Sequence, residues 1–179
     1  KKIGEEGSFG YAVIATHKES GDERAVKVIA KQDMSDAELD DLHHEVQISR
    51  VLDHKHVVRA YGFYEDEENL YIVMDLCKGG ELYTRIAEEG KLDEKQASSI
   101  MQQCLQSVRY LHSQNICHCD IKPDNFLLAT DVEDSAANSI MLIDFGAAKR
   151  LKPNQYLTST AGSPYYVAPE VLQGKYREH

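Results

Sequence analysis

Four short stretches of this sequence hold residue types able to act on a phosphate. In N-I-C-H-C-D-I-K-P-D-N (115–125), Asp120 can accept a hydroxyl proton, Lys122 can meet a phosphoryl oxygen and Asn125 can offer an amide oxygen to a metal ion. Those three roles suit phosphoryl transfer. L-I-D-F-G (142–146) puts Asp144 at an expected strand end, and a hard cation such as Mg²⁺ takes oxygen ligands of this kind. G-E-E-G-S-F-G (4–10) lies between two expected strands, where glycines let backbone amides approach a phosphate with no Cβ in the way. Alone, such a stretch is more often an ordinary tight turn. In A-V-K, Lys27 stands on a strand among apolar neighbours, where an ammonium costs desolvation unless an anion meets it. Glu45, on the following helix, is its natural partner; spacing alone leaves Glu38 open as well.

Cys117, His118 and Cys119 precede Asp120 directly and suggest two other chemistries. A zinc site needs a second ligand pair, and none stands at a recognisable spacing. A Cys–His nucleophile needs side chains that face each other and a third group to orient the base, and adjacent residues rarely provide either. Asp120 is therefore read as the working residue and His118 as a structural one.

These groups must be positioned by elements of two kinds. Before residue 75 the pattern is mostly strand: 3–17 around the glycines, R-A-V-K-V-I-A after a Gly21-Asp22 turn, then V-V-R-A-Y-G-F-Y and L-Y-I-V-M-D split by an acidic turn at 65–69. A helix is expected over Ser35–Leu52, with Ser35 as N-cap, Glu38 three residues on, and a stripe of Leu39, Leu42, Val46 and Val51. From Gly80 the period becomes helical, with a helix start at Leu92-Asp93-Glu94. Short strands return at F-L-L (126–128) and I-M-L-I (140–143), around a polar surface loop at 130–138. The chain has 179 residues, 42% hydrophobic and 28% charged, enough for one domain or one domain of two small lobes. A net charge of −10 speaks against nucleic acid and anionic membranes as partners; a cationic substrate fits it electrostatically, and on charge alone plain solubility is the simpler account. Apolar runs are too short for a membrane segment. Cysteines at 77, 104, 117 and 119 show no secreted-type framework, so a reduced, cytoplasmic protein is expected.

In their order along the chain, the glycine-rich stretch, A-V-K, the helix glutamate, H-C-D-I-K-P-D-N, D-F-G and A-P-E (168–170) resemble a eukaryotic protein kinase over essentially the whole length. Lys122 two residues after Asp120, and Ser163 before A-P-E, resemble the serine/threonine branch. E-D-E-E-N-L-Y-I-V-M-D-L-C-K-G-G-E-L, R-Y-L-H-S-Q-N-I and Y-Y-V-A-P-E-V-L-Q-G-K-Y resemble the calcium/calmodulin-dependent group, most of all the calcium-dependent protein kinases of plants and protists. The fold so implied is α+β and two-lobed: an antiparallel sheet with one helix (1–75), a hinge (76–80) and part of a helical lobe (81–179). The implied activity is transfer of the ATP γ-phosphate to a protein serine or threonine, with ATP and Mg²⁺ as cofactors. By the same resemblance, Ile3, Gly4, Gly7, Ser8, Phe9, Gly10, Ala25, Lys27, Met74, Asp75, Cys77, Glu81 and Leu127 surround the nucleotide. Met74 is the gatekeeper, Asp75 and Cys77 the hinge backbone against adenine, and Leu127 the pocket floor. Lys27 held by Glu45 meets the α- and β-phosphates, Asn125 and Asp144 bind the metal, Asp120 orients the substrate hydroxyl and Lys122 steadies the phosphoryl group. Glu81 is the candidate for selecting basic residues near the target. No EF-hand pattern is present, so a calcium-sensing region is expected outside this chain.

The sequence also departs from that family's pattern. Cys119 stands where an arginine usually pairs with an activation-segment phosphate, which implies a kinase independent of one. The first two glycines are three apart, so the loop is bulged or led by Glu5. Ala12 replaces the usual valine over adenine, and Ser49 and Ala60 replace larger residues linking the helix to Phe145. The family's helical lobe runs well past Glu170, so a C-terminally truncated catalytic domain is expected, with Phe126, Tyr110, Leu111 and Tyr166 short of packing partners. Two rivals remain at this point: a nucleotide-binding or scaffolding module without transferase activity, and a zinc-dependent interaction domain.

Overall fold

The computed structural model describes residues 2–7, 10–32, 34–130, 139–152 and 155–177. Ser8, Phe9 and nearly all of the polar loop at 130–138 therefore lie outside the described residues. Five strands form one antiparallel sheet in the order β1-β2-β3-β5-β4: β1 (Lys2–Gly7), β2 (Gly10–Thr16), β3 (Glu23–Ala30), β4 (Ala60–Glu65) and β5 (Asn69–Met74). Between Ile3↔Ala12 and Gly7↔Gly10 the β1–β2 register shifts, so β1 carries the bulge that the glycine spacing allowed. Gly10 is required by its neighbours: a Cβ there would lie 2.0 Å from the Val28 carbonyl oxygen.

Helix α1 (Asp36–Ser49) begins on a capping box in which the Ser35 side chain takes the Glu38 amide and Glu38 returns to the Ser35 amide. Glu38 is thereby committed to the cap. Leu42 and Val46 pack on the sheet against Ile29, Leu70 and Ile72. Val51, expected on the buried stripe, is 48% exposed because the helix ends at Ser49; Ile48 and Leu52 are the buried residues at that end.

A helical part follows, with α2 (Leu82–Glu89) and α3 (Glu94–Ser113), the latter capped reciprocally by Asp93 and Gln96. Three two-stranded or shorter pairings set the functional loops: β6 (Ile116–Cys117) with β9 (Lys149–Arg150), β7 (Phe126–Leu128) with β8 (Ile140–Leu142), and Val57 alongside Leu142. The Val58 amide donates to the Leu142 carbonyl at 2.9 Å and the Leu142 amide to the His56 carbonyl at 3.0 Å, tying the segment after α1 to β8. Around this junction lies the main core: Ile48, Leu52, Val57, Leu111, Ile116, Phe126, Leu142 and Phe145, among others. Phe126 and Leu111 are buried and Tyr110 is stacked on His54, contrary to the expected loss of packing; the apolar side chains left in solvent on α3 are Met101 and Leu105. Tyr166 is 48% exposed. Among the described residues no helix is long and apolar enough to cross a membrane. A short α4 (Pro169–Leu172) closes the described chain near its end.

Three histidines sit at these junctions, and burial first of all pushes the pKa of each below its ordinary value of 6.5: His54, His56 and His118. Unfolded imidazoles take up protons near 6.5 while the folded ones resist, so their contribution to stability is complete above that pH and is lost as pH falls toward the folded values. The denaturation midpoint is therefore expected to fall between about pH 7.5 and pH 5.5, above the carboxylate range. A midpoint that is flat or rises across that window would contradict it.

Candidate active site

The β-sheet register brings the first group together. Ile3, Ala12, Lys27 and Ile72 are successive cross-strand partners, so Ile3 and Ala12 share a sheet face with Lys27; Ala25 lies on the same face, paired with Met74. Lys27 Nζ donates to Glu45 Oε1 at 2.7 Å and stands 3.8 Å from Asp144 Oδ1. Burial alone would push the Lys27 ammonium down, yet Glu45 and then Asp144 outweigh it and its pKa is raised. It is a cation at any physiological pH.

A second group forms at the end of the β7–β8 ladder. Phe126 pairs with Leu142, and the Ile143 amide donates to the Asn125 carbonyl at 2.9 Å, which carries Asn125 and Asp144 to the same end. Asp144 has a φ of +62°, a left-handed conformation costing an aspartate about 1–3 kcal/mol. Its side chain is half exposed, with Oδ1 accepting from the Gly146 amide at 3.4 Å. Asn125 is buried, and both of its side-chain bonds, to Asp120 O (2.7 Å) and Asp120 Oδ2 (3.0 Å), use Nδ2. Its amide oxygen has no donor among the described residues. The Asn125 amide oxygen and the half-exposed Asp144 carboxylate thus stand beside a fixed ammonium, a donor set that fits a hard cation bound to phosphate.

Asp120 is the most heavily solicited acceptor. Oδ1 accepts from both the amide and the hydroxyl of Ser163 at 2.8 Å each, while Oδ2 takes Asn125 Nδ2 and lies 3.0 Å from Lys122 Nζ. Burial raises its pKa, but Ser163, Lys122 and Asn125 together pull it below the ordinary value. Lys122 also donates to Ser163 Oγ at 2.8 Å, and although burial would lower its pKa, Asp120 raises it. Ser163 shows what this pair accepts: an alcohol whose proton goes to Asp120 and whose oxygen faces Lys122.

Beyond β5, the segment expected as a hinge runs beside β7. The Lys78 and Gly79 amides donate to Ala129 and Leu128 carbonyls, and Glu81 bridges Leu127. Leu127 is half-buried between buried Phe126 and Leu128, so it faces the opposite side of β7. The Asp75 carboxylate is spent on the Arg59 amide and the Tyr61 hydroxyl, and burial pushes the Cys77 thiol up to about 11. What this segment can offer a ligand is backbone: the Asp75 carbonyl and the Cys77 amide and carbonyl have no partner among the described residues. Met74 is half-buried beside the core, and Glu81 is exposed at the start of α2. Gly4 and Gly7 lie in the bulged strand β1.

The C-H-C stretch resolves into three separate roles. His118 is buried, its Nε2 3.1 Å from the Ile143 carbonyl and its Nδ1 accepting from the Asp120 amide at 3.3 Å, with Phe145 edge-on at 5.3 Å. Both nitrogens hold backbone on either side of the site. Phe145 shares its buried cluster with Ile48 and Leu52, which make the link to α1 that Ser49 and Ala60 are too small to make. Cys119 has a φ of +64°, and its thiol contacts the Cys117 carbonyl at 3.6 Å. With Cys117 it packs on Leu151, Leu157 and Tyr176, and its pKa is raised by the Cys117 thiol and by burial. Gly162, at φ +122°, presses so close that a Cβ would lie 2.9 Å from the Cys119 carbonyl. Among the described residues no three His, Cys, Asp or Glu side chains converge on a metal position.

Sequence reasoning missed two site residues. Ser163 was legible only as a branch marker, because nothing local says that it folds back onto Asp120. Tyr176 anchors the segment after Asp144: its amide and carbonyl pair with Leu157, and its hydroxyl donates to the Ser159 carbonyl at 2.8 Å.

Comparison with known proteins agrees with this geometry. The family model described as "Protein kinase domain" matches residues 1–179. Calcium-dependent protein kinase 5 of Plasmodium falciparum (isolate 3D7) is 42% identical over 98% of this chain and 30% of its own length. Calcium/calmodulin-dependent serine/threonine-protein kinase 1 of Oryza sativa subsp. japonica is 47% identical over 95% of this chain and 29% of its own length. CDPK-related kinase 1 of Arabidopsis thaliana is 46% identical over 95% and 30%. The chain thus spans about 30% of the length of these relatives. A sheet that holds Lys27 on Glu45, a ladder end that presents Asn125 and Asp144, and a family match over every residue make one statement: this chain belongs to the protein kinase domain family.

Proposed function

We propose that this chain is the catalytic part of a serine/threonine protein kinase that moves the ATP γ-phosphate to a protein hydroxyl. The observation that carries the reading is the hydroxyl of Ser163, 2.8 Å from both Asp120 Oδ1 and Lys122 Nζ, a contact that supports the same pair holding a substrate serine or threonine. Asp120 orients that hydroxyl; its lowered pKa makes it a weak base, so it takes the proton late, as the new bond forms. Lys122 faces the transferred group, and Lys27, braced by Glu45, holds the remaining phosphates. Asn125 and Asp144 would hold Mg²⁺, which when bound neutralises phosphate charge and fixes the phosphates for in-line transfer. The glycine-rich strand pair (Gly4, Gly7 and Gly10, with Ser8 and Phe9) would cover the phosphates. Ile3, Ala25, Met74 and Leu127, with the free backbone groups of Asp75 and Cys77, would enclose adenine. The division into a sheet lobe (1–75), a hinge (76–80) and a helical lobe from residue 81 belongs to the same proposal.

Exposed Glu81 and the net charge of −10 favour substrates with a basic residue near the target. Regulation by calcium, after which the relatives are named, would act through a sensing region outside this chain, with a cytoplasmic site of action. The test uses calorimetry of ATP binding with and without Mg²⁺. Asp144→Ala is expected to lose the Mg²⁺-dependent part of the affinity, and Lys27→Met to lose phosphate transfer to a basic serine peptide while the fold persists. Unchanged ATP–Mg²⁺ affinity in Asp144→Ala would remove the metal role.

A further inference from the structure

The chain leaving β5 is gripped from one side by a residue that strand pairing leaves over. Between Ala60↔Met74 and Gly62↔Val73 the β4–β5 register shifts, so Tyr61 is the extra residue of a bulge in β4. A bulged residue has no partner opposite it and its side chain is re-aimed. Here the side chain runs to Asp75, the first residue beyond β5. The Tyr61 hydroxyl donates to Asp75 Oδ1 at 2.7 Å, and the Arg59 amide donates to Oδ2 at 3.0 Å. The Asp75 amide in turn donates to the Arg59 carbonyl at 3.1 Å. Asp75 is thus held at three atoms, and among the described residues its carbonyl is the polar group left over. No lysine or arginine pairs with its carboxylate among the described residues. Arg24 and Arg59 lie instead over the Tyr61 ring, Cζ 4.3 and 5.5 Å from its centroid, with Asp22 and Asp53 as their own carboxylates. The guanidinium groups restrict the ring, the ring fixes its hydroxyl, and the hydroxyl fixes the carboxylate.

We propose that Tyr61 is a positioning residue for the adenine end of the nucleotide, acting through Asp75. The inference rests on the reading that the backbone of Asp75 and Cys77 meets adenine. Leu76 and Cys77 alone separate Asp75 from Lys78 and Gly79, whose amides are tied to the Ala129 and Leu128 carbonyls. The free Asp75 carbonyl and Cys77 amide therefore hang between two anchors, and Tyr61 is the side chain that completes the first. A purine meets such a carbonyl and amide with donor and acceptor at a fixed spacing, so a turn of the Asp75 peptide takes the carbonyl out of line. Without the Tyr61 hydroxyl, Asp75 Oδ1 is left to water and that turn is freed. The phosphates, which would be met by Lys27, Asn125 and Asp144, do not sense it. Tyr61 touches no nucleotide itself.

The test is calorimetry on the protein at its natural length, with adenosine, inorganic triphosphate with Mg²⁺, and ATP with Mg²⁺ as probes. Tyr61→Phe removes one hydroxyl from a side chain that is 49% exposed and leaves the ring beneath both guanidinium groups. Adenosine and ATP are expected to bind about three- to tenfold more weakly, and triphosphate as in the parent. In peptide phosphorylation, KM for ATP should rise by the same factor while kcat stays within about twofold. Tyr64→Phe, the same change at an exposed tyrosine of the same strand, should alter none of these. In an Asp75→Ala background, adding Tyr61→Phe should cost nothing further, because the hydroxyl has lost the group it acts through. Equal losses for adenosine and triphosphate would mean a general loosening and overturn the proposal, as would an undiminished loss in the Asp75→Ala background. Adenosine that fails to bind the parent would overturn the adenine reading of the segment, and the inference with it. Adenosine bound equally by the parent and Tyr61→Phe overturns the inference alone.

Discussion

Asp120→Asn lowers phosphate transfer to a serine peptide by about two to four orders of magnitude while leaving ATP–Mg²⁺ affinity unchanged. The expectation follows from the hydrogen-bond inventory of the carboxylate. Ser163 N–H and O–H point at Oδ1, and Asn125 Nδ2 and Lys122 Nζ point at Oδ2, so every neighbour is a donor. An asparagine must turn its NH₂ toward one of those pairs, which sets donor against donor and costs up to about 1–3 kcal/mol, less the relief that partial exposure of the side chain allows. It also has no charge to balance Lys122 and no lone pair basic enough to receive the hydroxyl proton. In the proposed arrangement the nucleotide is met by other groups, Lys27, Asn125 and Asp144, and Asp120 touches only the second of these. Rate and affinity should therefore separate: initial velocity collapses, while the calorimetric ATP isotherm, recorded well below the unfolding temperature, overlays that of the parent. A loss smaller than tenfold would mean that Asp120 merely positions Ser163.

The two ends of that argument differ in how far they could be read from sequence. Local signals were legible because their physics is local. Ser35 with Glu38 is a capping box within one turn, and it both started α1 on time and removed Glu38 from competition for Lys27. The alternation that placed Lys27 inward on β3, opposite α1, depends only on a period of two. The candidate ligand residues at the ends of short strands were legible as types and order: Asn125 before F-L-L and Asp144 after I-M-L-I, which the structure brings to one end of the ladder. What could not be read was anything decided by distant packing. Strands β6 and β9 are two residues each, too short to show a period, yet their pairing fixes where Cys117 lies. Ser163 reaches Asp120 across 43 positions of chain, and Tyr176 reaches Leu157 through a single bridge. Val51 was misplaced by a pattern that continued past the true helix end, where Ile48 and Leu52 turn inward instead.

That same distant packing changes what Cys119→Arg should do. The cysteine is no vacant arginine position: its thiol side packs with Cys117 on Leu151, Leu157 and Tyr176, beneath the segment it would otherwise read. Segment order in the parent comes from this cluster, from the Leu157–Tyr176 bridge and from the Tyr176 hydroxyl on the Ser159 carbonyl. None of these needs a phosphate on Thr158, Ser159 or Thr160. Alanine at all three is expected to leave peptide phosphorylation nearly intact, since the Ser159 contact that matters most is to its carbonyl. In Cys119→Arg the guanidinium has no carboxylate to meet in the cluster and must force a way out along Leu157 and Tyr176, loosening the segment. Unphosphorylated Cys119→Arg should accordingly lose activity by about tenfold or more. Phosphate on Thr158 or Thr160, both exposed, should restore it, because one charge-assisted bond is worth about 1.5–3 kcal/mol and 1.4 kcal/mol is tenfold. The parent, treated in parallel, should be indifferent. Other cations near the segment are the competing readers: Lys149, already within 3.4 Å of Asp41, with Arg150 and Lys152. If Thr160→Ala loses most of its activity while Cys119 is still in place, one of those three is reading a phosphate and the apolar cluster is not what holds the segment.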